Sequence, residues 1–385
     1  MITTEHLSLT IVAGNYQVPT ENVVLQECSI ISSVRQNVPV ARLVFADSVG
    51  FFHNVVSLSD GLPIEISIGN TQATAVTYKF RLFMPRNNVG STGNSVVLIM
   101  YYDAPVYFGG TTSTSFQKSS ADAISEIAAN NGFMADVDES HDLMTWVPGN
   151  VRWCQFASAI ASAGWASQTS AFMLGLTETG VLRYKDVGSY TFDPTLPTFR
   201  LGALTSDGTY IPVASWSQVV VSGFHNMRGA YHGAQQNQSY TSVNGVVETT
   251  TSVKKIKGNQ FLYINSDVKA SLVNAKLFSW STVDCGNTHA NYQTAIYQNK
   301  RLLKTLSSRL SALTMMQTGL TILDKVQVQA FLPSTGGETP QVEVGASGYY
   351  FIVGKTIYAG MDGIYCEKFE LARDGTNQDL QQDMQ

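Results

Sequence analysis

Hydrophobic and polar positions alternate with period two over the first hundred residues of the chain. In PIEISIG, Ile64, Ile66 and Ile68 fall on one side and Glu65 and Ser67 on the other. In AVTYKFRLF, Val76, Tyr78, Phe80 and Leu82 share a face opposite Thr77, Lys79 and Arg81. Successive side chains of a strand alternate across its sheet, so this pattern predicts half-buried antiparallel strands. Turn signals at Ser59-Asp60-Gly61 and Arg86-Asn87-Asn88 are expected to separate them. Residues 1–108 therefore read as a nearly all-β domain.

Near residue 119, after a Gly/Ser/Thr-rich joint, the period changes to that of a helix. SADAISEIAANNGF puts Ile124, Ile127 and Ala128 on one face, with Ser119 and Asp122 as a start signal and Gly132 at the end. NVRWCQFASAIASAG spaces Trp153, Phe156 and Ile160 for a second helix that Gly164 stops. Between them ADVDESHDLMTWV reads as a charged hairpin. AFMLGL and GVLRYKD follow as strands around a Glu178-Thr179-Gly180 turn.

Strand patterns return in SQVVVSGF, VETTTSVKKIK and QFLYI. A seam of Tyr292, Ile296, Asn299, Leu303, Leu306, Leu310 and Leu313 then alternates by four and three. It predicts one long helix over about 288–317, roughly 45 Å at the helical rise. Its Lys300, Arg301, Lys304 and Arg309, with no acid between Asp284 and Asp324, fit either a helix on its own sheet or one at a subunit or partner contact. KVQVQAF, then SGYYFIVGKTIYAG and IYCEKFELAR around a glycine turn, close the chain as strands. The tail 374–385 carries little apolar surface and is expected to be flexible.

Composition adds one feature. The chain is 44% hydrophobic and only 14% charged, so Ser, Thr, Asn and Gln supply its polarity. Uncharged polar groups cost less to desolvate than ions. That suits either an ordinary β protein with a neutral surface or a component that buries its exterior against partners. A net charge of −5 lacks the basic footprint of a general nucleic-acid binder. Cys28, Cys154, Cys285 and Cys366 form no CxxC pair and read as reduced, buried thiols. The amino terminus has neither the basic nor the apolar region of a signal peptide, and no membrane-spanning segment is expected.

Candidate chemistry is sparse. GxSxG, HExxH, P-loop and GxGxxG patterns are missing from the sequence, and the six histidines are scattered. Asp136, Asp138, Glu139 and Asp142, with His141, form the densest acidic cluster. Its spacing lacks the central Gly and closing Glu of a calcium loop, so it reads as a solvated hairpin tip. The alternative makes it the acid pair of a carbohydrate-binding or carbohydrate-cleaving β protein. Trp146 and Trp153 read as core rather than a ligand platform. No catalytic, cofactor-binding or metal-binding residue is singled out, no cofactor is expected, and the chain reads as a non-enzyme.

The order helix, acidic segment, helix and two strands over 119–186 resembles the small α+β domain of baseplate hub proteins of contractile-tailed phages. Related type VI secretion spike proteins carry it in their amino-terminal portion. The run SIISSVRQNVPVARLVFADS, followed by DGLPIEISIG and YKFRLF, is similar to the family's first tube domain, and SGYYFIVGKTIYAGMDGIYCEKFELARDG to its closing strands. The resemblance implies a mostly β, α+β fold of two tube-like antiparallel β-barrel or sandwich domains with the small α+β domain between them. The expected divisions are 1–108 and 115–190, then a discontinuous 191–240 with 320–373, an inserted domain 241–319, and the tail 374–385.

It also implies a structural role in the virion. Three subunits, each offering two tube-like domains, would form a homotrimer adapting the hexameric tail tube protein to the trimeric central spike protein. Tape-measure protein and other baseplate proteins are further expected partners, with DNA passing transiently through the bore. Assembly would take place in the host cytoplasm. Another tail structural component, such as a distal tail protein, stays open as a further alternative.

Overall fold

The computed structural model describes residues 7–373 except 20, 71–74, 91–92, 168–169, 189–194, 203–209, 221–233, 244–245, 256–279, 284–288, 290, 292–294, 296–298, 300–305, 307, 332–341, 344 and 361–362. The QFLYI strand, Cys285 and the tail 374–385 lie outside the described residues. What is described is mostly β, dominated by one large curled, largely antiparallel sheet of 14 strands.

Its first half runs in the order Leu7–Ala13, Pro63–Asn70, Val76–Gly90, Gly93–Tyr102, Val40–Asp47 and Val23–Ser33. The alternation read from sequence sets the inward face. Ile64, Ile66, Ile68, Tyr78, Phe80 and Leu82 are all buried in the first core. Complete burial of such a side chain contributes about 1.5–3 kcal/mol each. One expected turn is absent. Arg86-Asn87-Asn88 lies inside Val76–Gly90, paired with Val97, Val96 and Ser95, and the chain reverses only between Gly90 and Gly93. Turn-forming residues still pair where the facing strand offers continuous backbone partners.

The second half hangs on one long strand, Gly348–Gly360. Its first residues pair with Lys325–Ala330, and Gly354–Gly360 pairs with Val23–Ser33. A bulge between Ile352 and Gly354 shifts its register against Tyr365–Arg373, which covers its other edge. Tyr350 and Ile352 therefore enter the second core while Ile357 and Ala359 enter the first. Beyond Tyr365–Arg373 lie Ser308–Thr314 and then Ser215–Val220, whereas Thr198–Leu201 joins Lys325–Ala330 in parallel.

The long helix expected over 288–317 does not reach its end. Ala295 and Asn299 are helical, Leu306 is not, and Ser308–Thr314 is a strand. SRLSALT offers both periods: Leu310 and Leu313 continue a leucine seam, while Ser308, Leu310, Ala312 and Thr314 alternate inward as a strand requires. Antiparallel partners on both sides decide in favour of the strand. Residues 308–314 thus belong to the large sheet rather than to the insertion. At the other end, the expected division at 240/241 cuts the strand Ala234–Val243. That strand pairs with Val246–Lys255 and Trp280–Val283 in a separate three-stranded sheet.

The small α+β unit forms as expected in its helices. Ser120–Asn130 is capped by the Ser119 hydroxyl, which accepts from the Asp122 amide at 3.2 Å, and Gly132 takes φ 75° just beyond its end. Trp153–Ala163 ends at Gly164. Both pack on a sheet of Met134–Val137, Val181–Asp186 and Phe172–Leu176, burying Ile124, Ile127, Phe156 and Ile160. The charged hairpin is not one. Met134–Val137 runs parallel to Val181–Asp186, and Met144–Trp146 pairs with Phe116–Lys118 instead. Among the described residues no helix is long and apolar enough to cross a membrane.

Candidate functional site

The acidic cluster of the sequence is pulled in three directions by the fold. Asp136 accepts from Arg183 Nε at 2.8 Å and from the Lys185 ammonium, and Asp138 accepts from Lys185 Nζ at 2.9 Å. Burial works against ionisation of Asp136, but Lys185 and Arg183 together hold its carboxyl below the usual range. Asp142 is fully buried. Its Oδ1 accepts from the Ser120 amide at 2.7 Å and the Ser140 hydroxyl at 2.9 Å, and its Oδ2 from the Trp165 amide at 2.7 Å. Only Glu139 and His141 fit the solvated tip expected from sequence. A hairpin-tip reading fails because Met134–Val137 is an edge strand paired in parallel with the central strand Val181–Asp186, so Asp136 and Asp138 meet the cations of that strand.

Trp146 is buried, with Nε1 donating to the Lys118 carbonyl at 2.9 Å, and the half-buried Trp153 packs against the same core. Cys28 and Cys154 are buried thiols, and burial pushes Cys28 up to about 12. Among the described residues no group of three His, Cys, Asp or Glu is placed to hold a metal.

The best-organised polar site joins the units, and it lies on residues the sequence did not mark. Lys355, on the long strand, is 5% exposed and donates to the Leu320 carbonyl at 2.7 Å. Its ammonium lies 3.3 Å from Glu178 Oε1 and 3.1 Å from Glu367 Oε1. Glu178 Oε2 accepts from Ser32 Oγ at 2.7 Å and Thr321 Oγ1 at 3.2 Å. Glu367 accepts from Tyr365 Oη at 2.7 Å and from both the amide and hydroxyl of Thr318. Burial alone would push Lys355 down, but the two carboxylates more than offset it and hold it above its ordinary value. Every proton of the ammonium has an acceptor, as a buried charge requires. The site ties Val23–Ser33, the Glu178 turn of the small unit and the two closing strands together. One clue was present: a lysine inside the apolar run GYYFIVGKTIYAG is a charge that needs a buried partner.

Two further ties hold the small unit. Arg183 Nη1 donates to Asp324 Oδ1 at 2.6 Å and to the Ile322 carbonyl at 2.7 Å. Asn299 Nδ2 donates to the carbonyls of Gly164 at 2.8 Å and Ala161 at 3.1 Å, while its Oδ1 accepts from the Phe172 amide at 3.0 Å. These are the orphan carbonyls of a helix end, satisfied by a side chain distant in sequence. His289 Nε2 sits 3.0 Å from the Ala163 carbonyl at the same end. A groove of about 340 Å³ separates the hairpin tip 34–37 from helix Trp153–Ala163 and strand Phe172–Leu176. This arrangement can transmit load between units; its carboxylates are occupied by cations and donors.

Neither a family model nor a curated protein matches the chain. Solved structures do. A tail protein from Neisseria meningitidis MC58 is 12% identical with a TM-score of 0.53, over 96% of this chain and 98% of that one. The 43 kDa tail protein of prophage MuSo2 from Shewanella oneidensis is 10% identical with a TM-score of 0.55, over 95% and 98%. The fold is that of a phage tail protein. A type VI secretion system component of E. coli, described as structurally similar to T4 bacteriophage tail proteins, is 10% identical with a TM-score of 0.50. There the match covers 96% of this chain and 77% of the other. The tail-protein fold therefore extends over nearly the whole chain at very low identity.

Proposed function

We propose that this chain is the structural hub of a contractile-tail baseplate. In this reading it forms a homotrimeric ring in the virion that adapts the hexameric tail tube to the trimeric central spike and contributes to the channel for genome delivery. The observation that carries the reading is the pair of β cores fused through the single strand Gly348–Gly360. Two tube-like units per subunit give three subunits a pseudo-sixfold face, which a six-to-three adaptor needs. The near-complete overlap with tail proteins supports it.

The units are then 1–108 for the first tube-like domain, 115–190 for the small α+β domain, and a discontinuous second tube-like domain. This second domain takes Ser308–Thr314 into 320–373, and the insertion includes Ala234–Val243. Tube protein, spike protein, tape-measure protein and other baseplate proteins are the partners. The role is mechanical, with the Lys355 site carrying load between units. The carbohydrate alternative loses support because Asp136, Asp138 and Asp142 are committed to cations and backbone amides.

Light scattering on the purified chain with negative-stain class averages tests the reading. A mass near three times 41.9 kDa with threefold rings around a central hole is expected, alone or on addition of the spike protein. A monomer that stays single at high concentration and with spike protein, and that binds glycans, overturns it.

A further inference from the structure

The hairpin tip 34–37 stands against the small α+β unit as a fixed wall. The Val34 amide donates to the Val353 carbonyl at 3.1 Å, the Gln36 amide to the Ser33 carbonyl at 3.0 Å, and the Arg35 amide to Ser33 Oγ at 3.2 Å. Helix Trp153–Ala163 and strand Phe172–Leu176 form the opposite wall, and the groove between them holds about 340 Å³. That volume lies at the low end of ligand pockets, which are largely preformed.

The lining divides by chemistry. Val34, Leu174 and Leu176 give it an apolar part. Arg35, Gln36, Asn37, Ser158 and Tyr107 bring hydrogen-bonding groups, and no aspartate or glutamate lines it. Arg35 is exposed, and its guanidinium enters no ion pair among the described residues.

Tyr107, on helix Pro105–Gly109, is 2% exposed, with its ring held edge-on by Phe133 at 5.2 Å. Its hydroxyl has no hydrogen-bond partner among the described residues, yet it is not sealed off, and the residue borders the groove. Burial first, and Cys154 second, push that hydroxyl well above the ordinary tyrosine range, so it stays a proton donor at neutral pH. A desolvated donor without an acceptor carries a cost that a bound acceptor removes.

We propose that this groove binds a small organic carboxylate, with its anionic group at Arg35, an acceptor at the Tyr107 hydroxyl and its apolar body against Leu174 and Leu176. One guanidinium balances one negative charge, which suits a carboxylate better than a phosphate dianion. The site shares no residue with the Lys355 set and stands independently of the hub reading.

Calorimetric titration of the full chain with phenylacetate and with octanoate tests it. Saturable binding of at least one is expected, and Arg35→Gln should weaken it about tenfold by removing a charge-assisted bond. Tyr107→Phe should also weaken it, while the melting temperature of the free chain stays unchanged because the hydroxyl has no protein partner to lose. Lys79→Gln, which removes an exposed cation outside the groove, should bind as the parent chain does. Absence of saturable binding of both probes at millimolar concentration overturns the proposal, as does binding that Arg35→Gln leaves unchanged. Tighter binding of phenyl phosphate than of phenylacetate overturns the assignment to carboxylates.

Discussion

Lys355 and Glu178 face each other across 3.3 Å in the interior, one on the strand shared by both β cores and the other on a turn of the small unit. Both side chains are at most 5% exposed, so solvent screens the pair little. With Glu367 completing the set, the charges sum to minus one, and tyrosine, serine and threonine hydroxyls carry the remainder. Tyr78 and Tyr365 nearby are pushed well above the ordinary tyrosine range, by burial first and the two carboxylates next.

Lys355→Met should therefore cost about 3–5 kcal/mol, because it strands two buried carboxylates. Adding Glu178→Gln and Glu367→Gln to the same chain should recover a large part of that loss. Urea unfolding of the single and triple variants measures both. A triple variant no more stable than Lys355→Met would contradict this account.

Gly164 has no room for a side chain. A Cβ there would lie 1.6 Å from Tyr184 Oη and 3.0 Å from Ser120 Oγ. Its φ of −64° is ordinary, so the constraint is space and not backbone conformation. Gly164→Ala should cost about 1–3 kcal/mol by overpacking. Tyr184→Phe in the same chain removes the nearest atom, so thermal melting should show less than additive loss.

Asn299→Ala uncaps helix Trp153–Ala163 and leaves the Phe172 amide without its acceptor. A loss of about 1–3 kcal/mol is expected, with faster exchange at Phe172. Asn299→Asp keeps the acceptor for Phe172 but sets a negative charge against helix carbonyls, so it should be less stable than Asn299→Ala at neutral pH. Chemical denaturation of the two variants orders them.

His289 is shifted down chiefly by burial, with the Ala163 carbonyl and the Asp142 charge acting in the opposite direction. Its folded value lies below the unfolded one near 6.5, so the unfolded chain takes up the proton first. Above ~6.5 the residue contributes no pH dependence; stability falls as pH drops below that value and levels off below the folded value. His289→Gln should flatten this part of a stability profile. A second loss, at lower pH, follows from Asp136: its contribution is present above the ordinary carboxylate value and is lost as pH falls through its lowered folded value.

Elements whose signal is local were legible in the sequence. The alternation of Ile64, Ile66 and Ile68 and the Ser119 cap depend on neighbours a few residues away, and the chain folds as those patterns require. Residues 308–313 fit two periods at once, and only pairing partners choose between them. Arg86-Asn87-Asn88 has turn chemistry but sits opposite an extended strand. The acidic stretch 136–142 reads as one cluster in sequence, and it is split because a parallel strand pairing and a helix cap each claim part of it.

The sequence by itself determined the period of the first strands and of the two short helices, the ends of both those helices and the mostly β character. All of these follow from short-range side-chain alternation and capping. The tertiary structure alone decided that Gly348–Gly360 serves two cores and that Lys355 meets Glu178 and Glu367. It alone also placed Asn299 on the end of a helix far away in the chain. Those contacts join residues distant in sequence, where no local pattern distinguishes a buried, paired charge or amide from a solvated one.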